Sequence, residues 1–401
     1  MQDMDAIIAR LAAHDRVRAA RRHLERSDEG TLAVQAELSA IPAPTGAEGR
    51  RAARLAELFR EAGLRDVDLD GAGNVHGWAG ERRDRAPIVL NAHLDTVFGP
   101  DVDVGVERHG RRLEGPGIAD NARGLAALVG VARAMVAARV PLVRPVRFAA
   151  TVGEEGAGDL RGVRYLFNGL SGQRPAAFIA LDGAGLERVV HRALGSRRYR
   201  VTYRGPGGHS WAAFGVANPA NAVGRVASLL ADLAIPSAPR TTCAVVGLGG
   251  GTGLNSIPQE AWLDLDLRSE DPDALARLDE TVRAALARAA EEENRRRAPG
   301  TAILQWDARR LGDRPSGAVP PEHPLVQTAL AATRALGREP ELACASTDAN
   351  VPIALGVPAI ALGAGGTAGD AHLPTEWYEN VDGSLGLVRA LLVVTAMGEL
   401  E

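Results

Sequence analysis

Near the N-terminus apolar residues recur at spacings of three and four, from Asp5 to Leu24 and again from Thr31 to Leu38, the period of helices with one buried face. A further helix is expected from Thr45, a residue type suited to capping, to Ala62, with Gly63 as its stop. The pattern then shortens to β-type runs, VDLD, NVHGWAG and PIVLNAHLD. A long Ala-, Leu- and Val-rich helix follows from Ala122 to Ala138, and then the strands VRFAATVG and FIALD. Continuous apolar runs such as Ile88 to Leu90, alternating with helices, predict an α/β fold with a mostly parallel sheet covered on both faces.

From about Ser196 the grammar changes, because RRYRVTYRG alternates like an antiparallel strand. A helix from Pro219 to Leu233, the strands TTCAVVGLG and AWLDLDLRS, a second long helix from Pro272 to Arg296 and the strand AILQWDARR complete the order βαββαβ. That order is ferredoxin-like and predicts an inserted domain. After Pro320 and Pro321 a helix from Leu325 to Leu336 and the runs ELACAS and AIALG return to the first pattern. The expected division is 1–195 for the first part of the outer domain, 196–312 for the insert and 313–401 for the second part.

The chain has 401 residues, 46% of them apolar and 24% charged, enough to bury a substantial core. A net charge of -4, with arginines scattered among acids, leaves no basic stripe for nucleic acid or a membrane surface, and a small substrate is expected. Cys243 and Cys344 lack ligand-like spacing and are read as buried small apolar residues. The charged, amphipathic N-terminus lacks the apolar core of a signal peptide, which makes the cytoplasm the expected compartment.

Polar residues at the ends of apolar strands change the picture. PIVLNAHLDTVFG runs into His93 and Asp95, two positions on one side of a strand end, which suit either a ligand site or a satisfied histidine–carboxylate pair. GPGIADNARGLAALV puts Asp120 and Asn121 directly before a helix, where Asp120 is either a cap or a ligand. ATVGEEG ends a strand in two adjacent carboxylates, Glu154 and Glu155, which repel unless cations or protons offset them. FIALDG ends in Asp182, and AGDAHLPTEWYE carries His372 in a glycine-rich loop. A parallel sheet would gather His93, Asp120, Glu155, Asp182 and His372 along one edge. Two imidazoles with three carboxylates and no thiolate suit Zn²⁺, with Mn²⁺ or Co²⁺ also accommodated. The glycine run Gly247 to Gly253 leads into a strand instead of a helix, which argues against a dinucleotide loop.

The motifs NAHLDTV, GPGIADNARG, ATVGEEG, IALDG, GPGGHS and AGDAHLPTEW, in this order and within an interrupted two-domain layout, resemble the M20 metallopeptidases. The resemblance implies that His93, Asp120 and Asp182 hold one metal and Asp120, Glu155 and His372 the other. Asp95 would orient His93, Glu154 would be the general base, and the Asp120–Asn121 peptide would be cis. It also implies that the insert is a dimerisation domain, that His209 of one subunit stabilises the oxyanion in its partner's site, and that Asn255 and Arg268 contact substrate. The expected function is a two-metal hydrolase cleaving an amide bond in di- or tripeptides by metal-activated water, working as a homodimer. The alternatives are an N-acyl amino acid deacylase of the same family and a non-catalytic relative that binds a small molecule. The tail STDANVPIALGVPAIALGAGGTAGDAH looks closest to the peptidase T-like members and favours a peptidase.

Overall fold

Strand Ile88–His93 is buried at every position and pairs in parallel with Val146–Thr151 on one side and Ala177–Leu181 on the other. Successive strand side chains point to opposite faces, so burial without alternation means that both faces are covered. This is the computed structural model of the chain, and it describes residues 3–80, 85–168 and 174–400. Two compact units divide it, Met1–Ala193 with Ala318–Glu401, and Leu194–Gly317.

In the first unit the sheet order is Arg65–Leu69, Val75–Ala79, Val146–Thr151, Ile88–His93, Ala177–Leu181, Ala359–Leu362 and Arg188–Ala193, with Glu341–Ala345 also paired to the last. The centre is parallel, and antiparallel pairs occur toward the margins. Helix Ala122–Ala138 is buried on nearly all sides and packs against Ile88–His93, Val146–Thr151 and Ala177–Leu181. Gly124 permits that approach, since a Cβ there would lie 2.5 Å from the Leu181 carbonyl oxygen. The last helix, Gly383–Met397, brings a second apolar surface into the same core.

Two expected N-terminal elements differ in detail. The stretch from Asp5 to Leu24 is two helices, Met4–Ala13 and Asp15–Arg26, because His14 adopts an extended backbone and its Nδ1 accepts from the Arg16 amide at 3.3 Å. The helix expected from Thr45 begins only at Gly49, and the Thr45 hydroxyl donates to Asp95 at 2.8 Å instead of capping it. Cys243 and Cys344 are both half-buried, so neither is as buried as the small apolar residue expected.

The second unit runs Gly195–Arg204, helix Pro219–Ala231, Thr241–Gly250, Glu260–Ser269, helix Pro272–Arg296 and Gln305–Arg314, the βαββαβ order. Its antiparallel sheet is ordered Thr241–Gly250, Glu260–Ser269, Gly195–Arg204, Gln305–Arg314, which is the ferredoxin-like arrangement. Tyr199, Val201, Tyr203, Leu263, Leu265 and Leu267 alternate onto the face that packs against Val226, Val282 and Leu286, giving the insert a core of its own.

Candidate metal centre

Parallel pairing places the ends of Val146–Thr151, Ile88–His93 and Ala177–Leu181 side by side, and the chain leaves each of them with a polar residue. His93 closes its strand, Glu154 and Glu155 follow Val146–Thr151, and Asp182 follows Ala177–Leu181. Asp120 arrives from the loop before helix Ala122–Ala138. Asn121, not Asp120, caps that helix, its Oδ1 accepting from the Gly124 amide at 3.0 Å and its Nδ2 donating to the Leu181 carbonyl at 2.8 Å. Asp120 is therefore left to point elsewhere, and the Asp120–Asn121 peptide is cis.

Asp120 lies between the two histidines. His93 Nε2 is 2.9 Å from Asp120 Oδ1 and 3.8 Å from Asp182 Oδ1, while His372 Nε2 is 3.2 Å from Asp120 Oδ2 and 3.1 Å from Glu155 Oε1. Candidate ligand atoms of His93, Asp120 and Asp182 lie within 4.8 Å of one another, as do those of Asp120, Glu155 and His372. His93, Glu154 and Glu155 meet the same criterion. The structure thus brings together all five expected ligands and the adjacent Glu154, and the two triads share Asp120. The donor set of neutral imidazoles and carboxylates fits two divalent ions of the Zn²⁺, Mn²⁺ or Co²⁺ kind.

Asp95 sits directly beneath. Its Oδ1 accepts from the Glu154 amide and its Oδ2 from the Glu155 amide, each at 2.9 Å. His93 Nδ1 donates to the Asp95 backbone carbonyl at 3.1 Å and is 3.6 Å from Oδ1, which fixes Nε2 as the nitrogen facing Asp120. One buried carboxylate therefore orients the glutamate pair as well as lying beside the histidine.

The charges are strongly coupled. Burial alone would drive His93 toward its neutral form, but Asp120, Asp182 and Asp95 outweigh it and raise its pKa well above the usual value. Hydrogen bonds to Asp120 and Glu155 push His372 up to about 10. Burial raises Asp182, with repulsion from Asp120 and Glu155 adding to it against the His93 hydrogen bond. For Asp120 the two imidazoles overcome desolvation and hold the carboxyl far below its ordinary range. A cluster this acidic keeps imidazoles charged until stronger cations replace their protons.

Three supporting residues lie outside the expected set, although Glu376 falls within AGDAHLPTEW and Asp348 within STDANV. Glu376, fully buried, accepts from the amides of Gly117, Ala119 and Asp120 at 3.1, 2.8 and 2.8 Å and so holds the loop that presents Asp120. Glu48 accepts from the Gly153 amide at 3.0 Å, next to Glu154. Asp348 is buried beside Thr151, and desolvation pushes its carboxyl up to about 6. Each acts on backbone or hydroxyl groups distant in sequence, so neither periodicity nor the motif around it discloses its role.

The remaining expected residues lie in the insert. His209 belongs to a short ribbon with Ser256–Ile257, and its Nδ1 accepts from the Trp211 and Ala212 amides at 3.2 and 3.4 Å. That tautomer leaves the proton on Nε2, making exposed His209 a hydrogen-bond donor. The Asn255 carbonyl accepts from the Ser210 amide at 2.8 Å, tying its loop to that of His209. Arg268 donates through Nε and Nη2 to Asp266 Oδ2 at 3.0 and 2.9 Å, so its fork is already engaged within the insert.

An α/β sheet whose strand ends gather two imidazoles, three carboxylates and a neighbouring glutamate defines a hydrolase of the metal-site class. The sequence profile of Peptidase family M20/M25/M40 matches residues 89–396, and the chain belongs to that family. Its fold is similar to that of a tripeptidase from Staphylococcus aureus subsp. aureus mu50, at 20% identity over 92% of this chain and 98% of that one, with a TM-score of 0.76. It is also similar to an amidase of the hydantoinase/carbamoylase family from Burkholderia vietnamiensis (19% identity, 94% and 98% coverage, TM-score 0.68). The Bacillus subtilis YxeP protein, described as a dinuclear metal binding peptidase from the M20 family, is a third such structure (15% identity, 95% and 99% coverage, TM-score 0.68). A search of curated proteins found no match.

Proposed function

We propose that this M20 hydrolase cleaves an amide bond in di- or tripeptides with two divalent metal ions, and that Glu154 is its general base. The observation that carries the reading is the pair of three-residue ligand groups sharing Asp120, with Glu154 buried beside them. His93, Asp120 and Asp182 would hold one ion and Asp120, Glu155 and His372 the other. Bound there, the ions, taken to be Zn²⁺ with Mn²⁺ or Co²⁺ as substitutes, would polarise the scissile carbonyl and acidify water. Glu154 accepts the proton of the attacking water and returns it to the departing amine, while Asp95 holds its backbone in place. His209 donates from Nε2 to the developing oxyanion. Arg268 and Asn255 contact substrate, with Asp266 limiting the net charge Arg268 offers a carboxylate.

The enzyme is proposed to act as a homodimer through the insert, with His209 serving the partner's metals. The two edges of the insert sheet support this. Gln305–Arg314 carries Asp307, Arg309, Arg310 and Asp313, the charges that discourage edge pairing, whereas Thr241–Gly250 has no charged residue and exposes Val246 and Leu248. A two-fold axis beside the uncharged edge would cover it. Among the described residues no helix is long and apolar enough to cross a membrane, and a cytoplasmic location is proposed.

N-deacylation is the second reading, supported by the fold likeness to the Burkholderia amidase. The deciding experiment is a hydrolysis screen of the Zn²⁺-, Mn²⁺- and Co²⁺-loaded protein against dipeptides, tripeptides, N-acyl and N-carbamoyl amino acids. Turnover of peptides above the rest is expected. Turnover confined to N-acyl or N-carbamoyl substrates selects the deacylase, and turnover of none refutes both.

A further inference from the structure

Three arginines in the outer unit, Arg51, Arg123 and Arg389, are fully buried, and among the described residues each hydrogen-bonds only to neutral acceptors; Arg123 and Arg389 share one segment. A buried guanidinium held in that way is costly, since burial removes its hydration and, for Arg389, the charge of Glu187 offsets only part of the loss. Burial pushes Arg389 down to about 10. The acceptors Leu186, Gly363 and Ala364 of Arg123 and Arg389 lie in two segments that connect to proposed metal ligands.

Arg389, on the last helix, donates to the carbonyls of Leu186 and, at 2.6 Å, Gly363. Arg123, three residues beyond Asp120, donates through Nε to the Ala364 carbonyl at 2.8 Å and through Nη2 to the Gly383 carbonyl at 2.7 Å. The two side chains thus grip adjacent carbonyls, Gly363 and Ala364. That segment is joined to the loop after Asp182 by Ala364 N to Gly183 O at 2.8 Å, Gly365 N to Gly185 O at 3.1 Å and Gly185 N to Gly366 O at 3.1 Å. The Asp182 amide itself donates to Leu362 O at 2.9 Å. A Cβ on Gly363 would collide with the Ala184 carbonyl, so the two loops are in contact at their closest point. One loop starts at Asp182 and the other runs on to His372, a residue from each triad.

We propose that Arg123 and Arg389 are positioning residues that fix the Asp182 and His372 segments in register, and so tune metal affinity without touching metal or substrate. The proposal rests on the two-metal reading above. Nothing about packing alone calls for guanidinium here, since an apolar side chain would fill the volume at lower desolvation cost. What an apolar residue lacks is a rigid fork able to hold several carbonyls at once. Lysine keeps the charge but not the fork, so Arg389→Lys and Arg123→Lys isolate the geometry while disturbing the fold least.

The test is metal affinity, measured by competition of Zn²⁺ and Co²⁺ with a chromophoric chelator, alongside thermal unfolding of the metal-free proteins. Loss of a supporting contact around a metal site costs about 10–100-fold in affinity, and a weakening in that range is expected for either variant. At saturating metal, kcat should return close to that of the wild type, since the reacting groups are untouched. A merely structural role would lower the unfolding temperature and leave metal affinity unchanged, and that result overturns the proposal. Full wild-type affinity in both lysine variants does the same. If lysine at either position prevents folding, Arg389→Gln or Arg123→Gln, which keeps a neutral donor, carries the same comparison. Wild-type protein that binds no metal would instead refute the metal centre itself, so the two failures are distinguishable.

Discussion

Replacing Asp95 by asparagine changes one buried atom and reaches every proposed catalytic group on two strands. Asp95 is fully buried, with Oδ1 accepting from the Glu154 amide and Oδ2 from the Glu155 amide and Thr45 Oγ1. The amide has one acceptor oxygen. If that oxygen takes the place of Oδ2, the bonds from Glu155 and Thr45 survive without charge assistance and the new NH₂ faces the Glu154 N–H. Stranding that donor costs about 1–3 kcal/mol, and two charge-assisted bonds becoming neutral cost about 1 kcal/mol each, giving about 3–5 kcal/mol in all. Ordinary stabilities of about 5–15 kcal/mol leave such a variant folded but weakened. Its Glu154 backbone must shift, and displacement of a reacting group by about 1 Å can cost roughly 100-fold in rate. Urea unfolding of metal-free protein, metal content and kcat on the best substrate measure the three effects. The pH dependence adds a signature. The neighbouring His93 and the hydrogen bonds from the Glu155 amide and Thr45 overcome desolvation and lower the Asp95 pKa below 3.8, so its stabilisation is full above that value and is lost as pH falls through the folded value. The asparagine variant should lack that part of the acid limb. Wild-type stability and turnover in Asp95→Asn would refute the reasoning.

Four other outcomes are expected. Glu154→Gln should lose turnover by several orders of magnitude with metal content nearly intact, whereas Glu155→Gln should lose metal as well; equal metal content in the two variants contradicts the assigned roles. Metal uptake near pH 7 should release about two protons, because His93 and His372 are held protonated and must become neutral to ligate, so affinity rises with pH up to about 10, the value for His372. Calorimetry in buffers of different ionisation enthalpy measures the release, and uptake without protons rejects it. Metal-free protein should correspondingly lose the stabilisation from His372 as pH rises from its ordinary 6.5 through about 10. A mixture of His209→Ala and Glu154→Gln subunits should regain up to about a quarter of wild-type activity, since random exchange makes half the dimers mixed and gives each one competent site; no recovery despite exchange shown by mass places His209 in cis or outside catalysis.

What the sequence disclosed and what it hid follow from the range of the forces involved. Periods of two and of three to four residues report which face of a local element is buried, and from them the parallel sheet, the helices Ala122–Ala138 and Pro272–Arg296 and the βαββαβ insert are readable. The same periodicity cannot locate a break such as His14, where apolar spacing continues across an extended residue. Polar residues at strand ends conflict with their apolar surroundings, and that conflict marks His93, Glu154, Glu155 and Asp182 within the sequence itself. Asp120 and Asn121 are harder, because either can cap a helix, and only the hydrogen bonds of Asn121 to Gly124 and Leu181 settle which does. Least legible is the layer beneath the ligands. Glu376 reaches amides 256 to 259 residues away, and Arg389 reaches Leu186 across 203. Partners of that kind are main-chain groups, which every residue possesses, so nothing in the composition of the partner segment marks the contact. A site's ligands can be read from what they are, but the residues that set their spacing are identified only by where the fold puts them.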